Sequence, residues 1–127
     1  MILLVLPNQL FSKHPGLKRE PHHVVLLEDS LYFGDPNYPA RFHKQKLWLH
    51  RATMKRFQSD LDAKGYATTY LDYDAKPDAL LRQLRKIKKL TGKDDRRIAV
   101  AEPHDILFDI RLQRVCGKLN LDLEILD

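Results

Sequence analysis

One cysteine, Cys116, stands alone among the 127 residues, so an internal disulfide and a thiolate zinc site are both excluded. Long apolar runs are missing too. Ile2–Leu6 and Val24–Leu27 fall far short of the roughly 20 residues that a bilayer span needs, and no transmembrane helix is expected. No G-x-G-x-x-G follows the first apolar run and no G-x-x-x-x-G-K-[ST] occurs anywhere, which removes the fingerprints of dinucleotide binding and of a Walker loop. Six histidines invite a metal reading, but there is no H-E-x-x-H, and the adjacent His22 and His23 would face opposite sides of a strand. Met1 runs into apolar residues with no basic stretch before them, so a secretory signal is not expected either and the expected location is the cytoplasm.

What is present is the composition of one soluble domain, 43% hydrophobic and 31% charged. Twenty-two Lys and Arg against seventeen Asp and Glu give a net charge of +5, an excess that permits a polyanionic partner without requiring one. The densest basic stretch is Arg82, Arg85, Lys86, Lys88, Lys89, Lys93, Arg96 and Arg97. It reads as the outward face of a helix, diluted by Asp94 and Asp95 and lacking the aromatics of a single-strand binding platform.

Ile2–Leu6 and His23–Glu28 read as strands covered on both faces, because they are continuous, apolar and rich in branched residues. Residues 8–22 carry Pro15-Gly16 and Pro21 and read as a loop with at most a short helix. From about Pro39 to Lys64 the period becomes helical, with Leu47, Met54, Phe57 and Leu61 on one stripe and Gly65 as a stop. Thr68–Leu71 is a third strand, and Pro77 opens a helix with Leu80, Leu84 and Ile87 inward and Gly92 at its end. Ile98–Ala101 is a fourth strand; Phe108, Leu112, Val115 and Leu119 mark a third helix, and Leu123–Leu126 a last strand. Alternation of this kind implies right-handed crossovers and an α/β, Rossmann-like, doubly wound parallel sheet of five strands with helices on both faces. The expected strand order is 3-2-1-4-5, and residues 1–127 read as a single domain.

Ligands of such sheets sit beyond the carboxyl ends of the strands, near the point where strand order reverses. Asn8 and Gln9 follow the first strand there, Glu28 the second, Asp72 and Asp74 the third, and Glu102 the fourth. His43, Lys46 and His50 project from one side of the first helix as it opens above the same edge, a setting suited to phosphate, carboxylate or an electron-rich heterocycle. The blander reading has His43 and Lys46 solvated and His50 in the core. Cys116 reads as an inert core thiol, and the paired carboxylates as loop and capping groups.

Phe42-His43-Lys44-Gln45-Lys46-Leu47, Met54-Lys55-Arg56-Phe57, Leu61, Lys64-Gly65-Tyr66 and Tyr70 together resemble the H-H-K-x-K … A-M-R-H-F … L-R-x-x-G-Y/W … Y segment of the deoxyribodipyrimidine photolyase-related proteins. These are the prokaryotic, iron–sulfur branch of the cryptochrome/photolyase family. Asn8-Gln9-Leu10 is similar to that family's G-D-Q-L, Glu28 with Tyr32 to its E…Y, and Glu102-Pro103-His104-Asp105 to its E-P-G-E. There are departures. Pro7-Asn8 stands in place of Gly-Asp, the spacing from Glu28 to Tyr32 is shorter, and Ile106-Leu107 replaces an aromatic and an Arg.

The resemblance implies an amino-terminal α/β domain that holds an antenna chromophore of the 6,7-dimethyl-8-ribityllumazine type, with Asn8, Gln9, Glu28, Tyr32, His43, Lys46 and Glu102 as the binding residues. It further implies that FAD, an iron–sulfur cluster and the DNA contact belong to a helical carboxyl-terminal domain that this chain does not contain. On that reading the chain alone has no activity, and its partner is the FAD-binding domain rather than a membrane. Two alternatives remain open at the level of sequence: a catalytically silent Rossmann-like interaction module, and a small nucleotide-binding α/β protein, the latter disfavoured by the missing glycine-rich loop.

Overall fold

A computed structural model of the chain describes residues 1–7, 9–10, 14–28, 44–73, 76, 78–91, 95–103 and 106–126. The first apolar run forms β1 (Ile2–Val5) and the second β2 (His23–Leu27). Between them a 3-10 turn spans Pro15–Arg19, capped by His14, whose Nδ1 accepts from the Gly16 amide at 3.0 Å. The chain continues through α1 (Lys44–Ala63), β3 (Thr68–Leu71), α2 (Ala79–Lys88), β4 (Arg97–Ala101), α3 (Ile106–Leu119) and β5 (Asp122–Leu126).

The five strands form one sheet in the order β3-β2-β1-β4-β5 with every pairing parallel, as the sequence pattern predicts. β1 is central, pairing Ile2 with His23 on one side and with Ile98 on the other. Its four residues are buried because helices cover both faces, which is why it carries no polar alternation. Leu3, Val5, Val24, Leu26 and Ala99 meet Met54 and Leu61 of α1 on one face. On the other face Ile2, Leu4, Val25, Leu27, Ile98 and Val100 meet Leu80, Leu84 and Ile87 of α2 and Phe108, Leu112, Val115 and Leu119 of α3.

The predicted helical stop at Gly65 is present in full. Gly65 takes φ +91°, its amide donates to Asp62 O, and the Tyr66 amide donates to Leu61 O, the paired bonds of a Schellman cap. α3 ends in the same way with Asn120 (φ +58°) in the left-handed position, a cap that the apolar periodicity does not announce. α2 begins at Ala79, two residues later than a start at Pro77 would give, and ends at Lys88. Pro77, Gly92 and residues 39–43 lie outside the described residues. No helix among the described residues is long and apolar enough to cross a membrane.

Candidate functional site

β2 delivers four buried apolar residues in succession and then Glu28, whose side chain is 0% exposed. A carboxylate placed there must find donors or lose its charge. It finds four. Arg51 grips it through Nε to Oε2 (2.9 Å) and Nη2 to Oε1 (2.8 Å), the Tyr73 amide donates to Oε1 at 2.9 Å, and the Tyr70 hydroxyl donates to Oε2. Burial by itself pushes the Glu28 carboxyl up; the hydrogen bonds from Arg51, Tyr70 and Tyr73, with the charge of Arg51, outweigh it and hold the group below the usual carboxylate range. Tyr70 and Arg51 shift in the complementary sense. Burial and then Glu28 raise the phenol, and the hydrogen bond to Glu28 raises the guanidinium.

α1 supplies the other half of the cluster. It runs antiparallel to β3, so Arg51 reaches Glu28 at the carboxyl edge, Met54 Sδ lies 3.8 Å from the Tyr70 hydroxyl, and Gln58 and Asp62 meet the Thr68 hydroxyl at 3.1 and 2.5 Å near the amino edge. Those positions recur at three- and four-residue spacing along one flank of the helix. Lys55, four residues after Arg51, sets its Nζ 3.5 Å from the centroid of the Tyr70 ring. The Arg51 side chain remains 53% exposed and Lys55 is exposed, so two cations rim an aromatic ring beside a carboxylate whose acceptor positions are filled. Chemically this is a holding arrangement. A saturated, ion-paired carboxylate is a poor general base, whereas the cations and the ring suit an anionic or electron-rich planar group.

Gln83 of α2 completes the edge. Its Nε2 donates to the main-chain oxygens of Glu28 (3.2 Å) and Asp72 (2.9 Å), tying the ends of β2 and β3 together, and its Oε1 is buried without a hydrogen-bond partner. The two carbonyls fix the orientation of the amide, since only its nitrogen can donate to them.

The expected binding residues separate into groups. Gln9 is buried, and its Nε2 donates to Ala101 O at 2.8 Å, so it bridges the ends of β1 and β4 where the strand order reverses. Glu102 is exposed past β4, its amide bonded to Leu126 O. Glu28 belongs to the Arg51–Tyr70 cluster at β2 and β3. Asn8, Tyr32 and His43 lie outside the described residues, as does the side chain of Lys46 within α1. His50 is half-buried. Cys116 is buried in α3, its thiol pushed up to about 11 by burial, as an inert core thiol should be. Among the described residues no group of three or more His, Cys, Asp or Glu is placed to hold a metal.

Sequence reading overlooked Arg51 as a site residue, yet a signal was there. Glu28 ends an otherwise apolar strand, where a buried carboxylate needs a cation, and Arg51 stands one turn from Leu47 and from Met54 at the edge of the apolar stripe of the helix that follows.

Sheet order, crossovers and a charged carboxyl edge define a doubly wound α/β domain, a fold class whose ligands sit beyond the carboxyl ends of the strands. The chain belongs to the deoxyribodipyrimidine photo-lyase-related protein family, whose model matches residues 3–127. It is also 30% identical over 122 residues to the uncharacterized protein R852 of Acanthamoeba polyphaga mimivirus. That alignment takes in 94% of this chain and spans 59% of the relative's length.

Proposed function

We propose that this chain is the amino-terminal, antenna-binding domain of a photolyase-related flavoprotein whose full-length form acts in light-dependent DNA repair or blue-light sensing. The observation that carries the reading is the pair of cations, Arg51 and Lys55, set around Tyr70 at the carboxyl edge of the sheet in a member of this family. A heterocycle of the 6,7-dimethyl-8-ribityllumazine type fits that rim: Arg51 and Lys55 would meet its ring oxygens, and the orphaned Gln83 Oε1 is an acceptor for a ring or ribityl donor. When bound, such a group absorbs light and passes the excitation to a flavin. Glu28 then acts as a positioning residue that fixes Arg51 and Tyr70, because its own acceptor sites are taken. Asn8, Gln9, Tyr32, His43, Lys46 and Glu102 enter the site through the family resemblance. FAD and the iron–sulfur cluster belong, on this reading, to a further helical domain that packs against this one in the cytoplasm.

Titration of the chain with the ribityl-lumazine, followed by its fluorescence, tests the proposal. Arg51→Ala and Lys55→Ala should each weaken binding by roughly tenfold or more, as expected when a charged hydrogen bond of about 1.5–3 kcal/mol is lost. Equal affinity for both variants and the unaltered chain would remove these residues from the site. No binding by any of the three would favour a silent packing module, a reading that the exposed Ile106, Leu107 and Ile110 of α3 support.

A further inference from the structure

The face of the sheet opposite α1 has a charge pattern that the ligand site does not use. Along α2 and its C-cap residue, the half-buried Arg82 and the exposed Arg85 and Lys89 recur at i, i+3 and i+7, away from the buried Leu80, Leu84 and Ile87. On α3, Arg111, Arg114 and Lys118 repeat the same spacing beside the buried stripe of Phe108, Leu112, Val115 and Leu119. Both helices run antiparallel to the strands and pack side by side on one face of the sheet. In a right-handed helix of that direction, the flank of α3 turned toward α2 is the one carrying Arg111, Arg114 and Lys118, and the answering flank of α2 carries Arg85 and Lys88. The groove between them is therefore bordered by cations from both sides, with Leu81 and Leu107 on the same flanks at its amino-terminal end.

The pattern is more than a solvated helix surface. The two helices hold seven Lys and Arg against one acid, Asp109, whose carboxylate accepts from Gln113 Nε2 one turn on. Arg85, Lys88, Arg114 and Lys118 are exposed and make no ion pair among the described residues. Helix dipoles favour cations in the last turn, which accounts for Lys88 and Lys118. They do not account for Arg114 in mid-helix, which faces Arg85 and Lys88 across the groove, where like charges repel unless an anion lies between them.

We propose that this groove docks the phosphate backbone of a nucleic-acid duplex. A duplex carries one charge per roughly 1.7 Å of its axis, and the groove-facing cations extend over on the order of 10 Å on α3 and about 4.5 Å on α2, so several phosphates face them at once. Contact is to the backbone and not to the bases. The two helices hold one aromatic, Phe108, and it is fully buried, so nothing on them can stack on an unpaired base. A flat bilayer would rest on the ridges of the two helices rather than enter the groove between them. The groove lies on the face of the sheet opposite α1, away from Arg51 and Lys55, and would be a DNA contact of this domain's own.

Fluorescence anisotropy with a labelled 20-base-pair duplex, read at 50 and 200 mM salt, is the test. With about four phosphates neutralised, affinity should fall by roughly a hundredfold across that range. R85E/K88E/R114E should lose binding at 50 mM salt, while K18E/R56E/K64E, with the same change in net charge on other exposed positions, should retain most of it. Circular dichroism melts establish that each variant is folded, and R85Q/K88Q/R114Q repeats the test without charge reversal if the first variant is not. Equal loss in the two charge-reversal variants would overturn the proposal, since net charge alone would then explain binding. So would capture of vesicles containing 30% phosphatidylserine by a chain that ignores the duplex.

Discussion

Arg51 and Glu28 meet through two parallel hydrogen bonds, yet the guanidinium is 53% exposed and the carboxylate not at all. The pair is unequal as a result. Arg51 can return to water when the contact breaks, whereas Glu28 would be left buried with the Tyr70 hydroxyl and the Tyr73 amide as its remaining donors. Arg51→Ala should therefore cost about 2–3 kcal/mol of stability, less than removing one partner from a fully buried pair. Arg51→Lys should fall between, keeping the charge and losing the two-pronged geometry. In a Glu28→Gln background the same Arg51→Ala change should cost under about 1 kcal/mol, since no buried charge remains to be abandoned. Urea midpoints at unchanged m-value measure all three, and equal costs in the two backgrounds would show that Arg51 stabilises by packing alone.

The same carboxylate sets a pH dependence. Its folded pKa is depressed, so its contribution to stability is present above the unfolded value of about 4.3 and is lost as the pH falls through the folded one. Asp95 and Glu124 are depressed too, the first mainly by Arg97 and the second mainly by Arg19, and they move the whole acid limb in the same direction. The difference in stability between the unaltered chain and Glu28→Gln isolates Glu28. It should be constant from pH 7 to about pH 5 and shrink below about 4.3. A difference that stays flat down to pH 3 would mean that Glu28 is not bound as a carboxylate.

Strand count, order and parallel pairing were legible because β1, β2 and β4 are apolar without alternation, a pattern that only a sheet covered on both faces allows. Gly65 was legible for a similar reason, as it stands where the helical stripe stops. The site was less so. Strand ends carry Glu28 and Gln9, but the groups that hold Glu28 come from the interior of α1 and from β3 and the residues just after it. No local pattern links Arg51 to a residue 23 positions earlier, or Gln83 to the ends of two strands. Those partnerships follow from the crossover geometry and become visible only once the helices are laid on the sheet.

Gly16 is a position where a single methyl group should matter. A Cβ built there would lie 2.2 Å from Leu3 Cδ1, and Leu3 is fully buried in the central strand. Gly16→Ala forces that side chain or the 3-10 turn to move, at a cost of about 1–3 kcal/mol. Gly117, inside α3 with nothing within 4 Å of its would-be Cβ, is the control. Gly117→Ala should stabilise by up to about 1 kcal/mol, because alanine loses less backbone entropy on entering a helix. Thermal melts of the two single variants should therefore shift in opposite directions, and a neutral Gly16→Ala would show that the turn is not seated against Leu3.

Gln83 sets two contributions against each other. Gln83→Leu removes the donor that satisfies the Glu28 and Asp72 carbonyls, and it also removes Oε1, an acceptor buried with no partner. Losing the first destabilises; losing the second returns part of the cost, since an unsatisfied polar atom no longer has to be buried. The net change should be a loss of about 1 kcal/mol, smaller than that of Arg51→Ala and accompanied by faster amide exchange at Glu28 and Tyr73, where β2 and β3 end. Ligand binding supplies an independent readout. If Gln83 Oε1 accepts from the chromophore, Gln83→Leu weakens lumazine binding by tenfold or more while the fold persists, because the ligand's donor is left unpaired. A stability loss of 3 kcal/mol or more with unchanged lumazine affinity would instead make Gln83 a purely structural tie between the two strands and the helix.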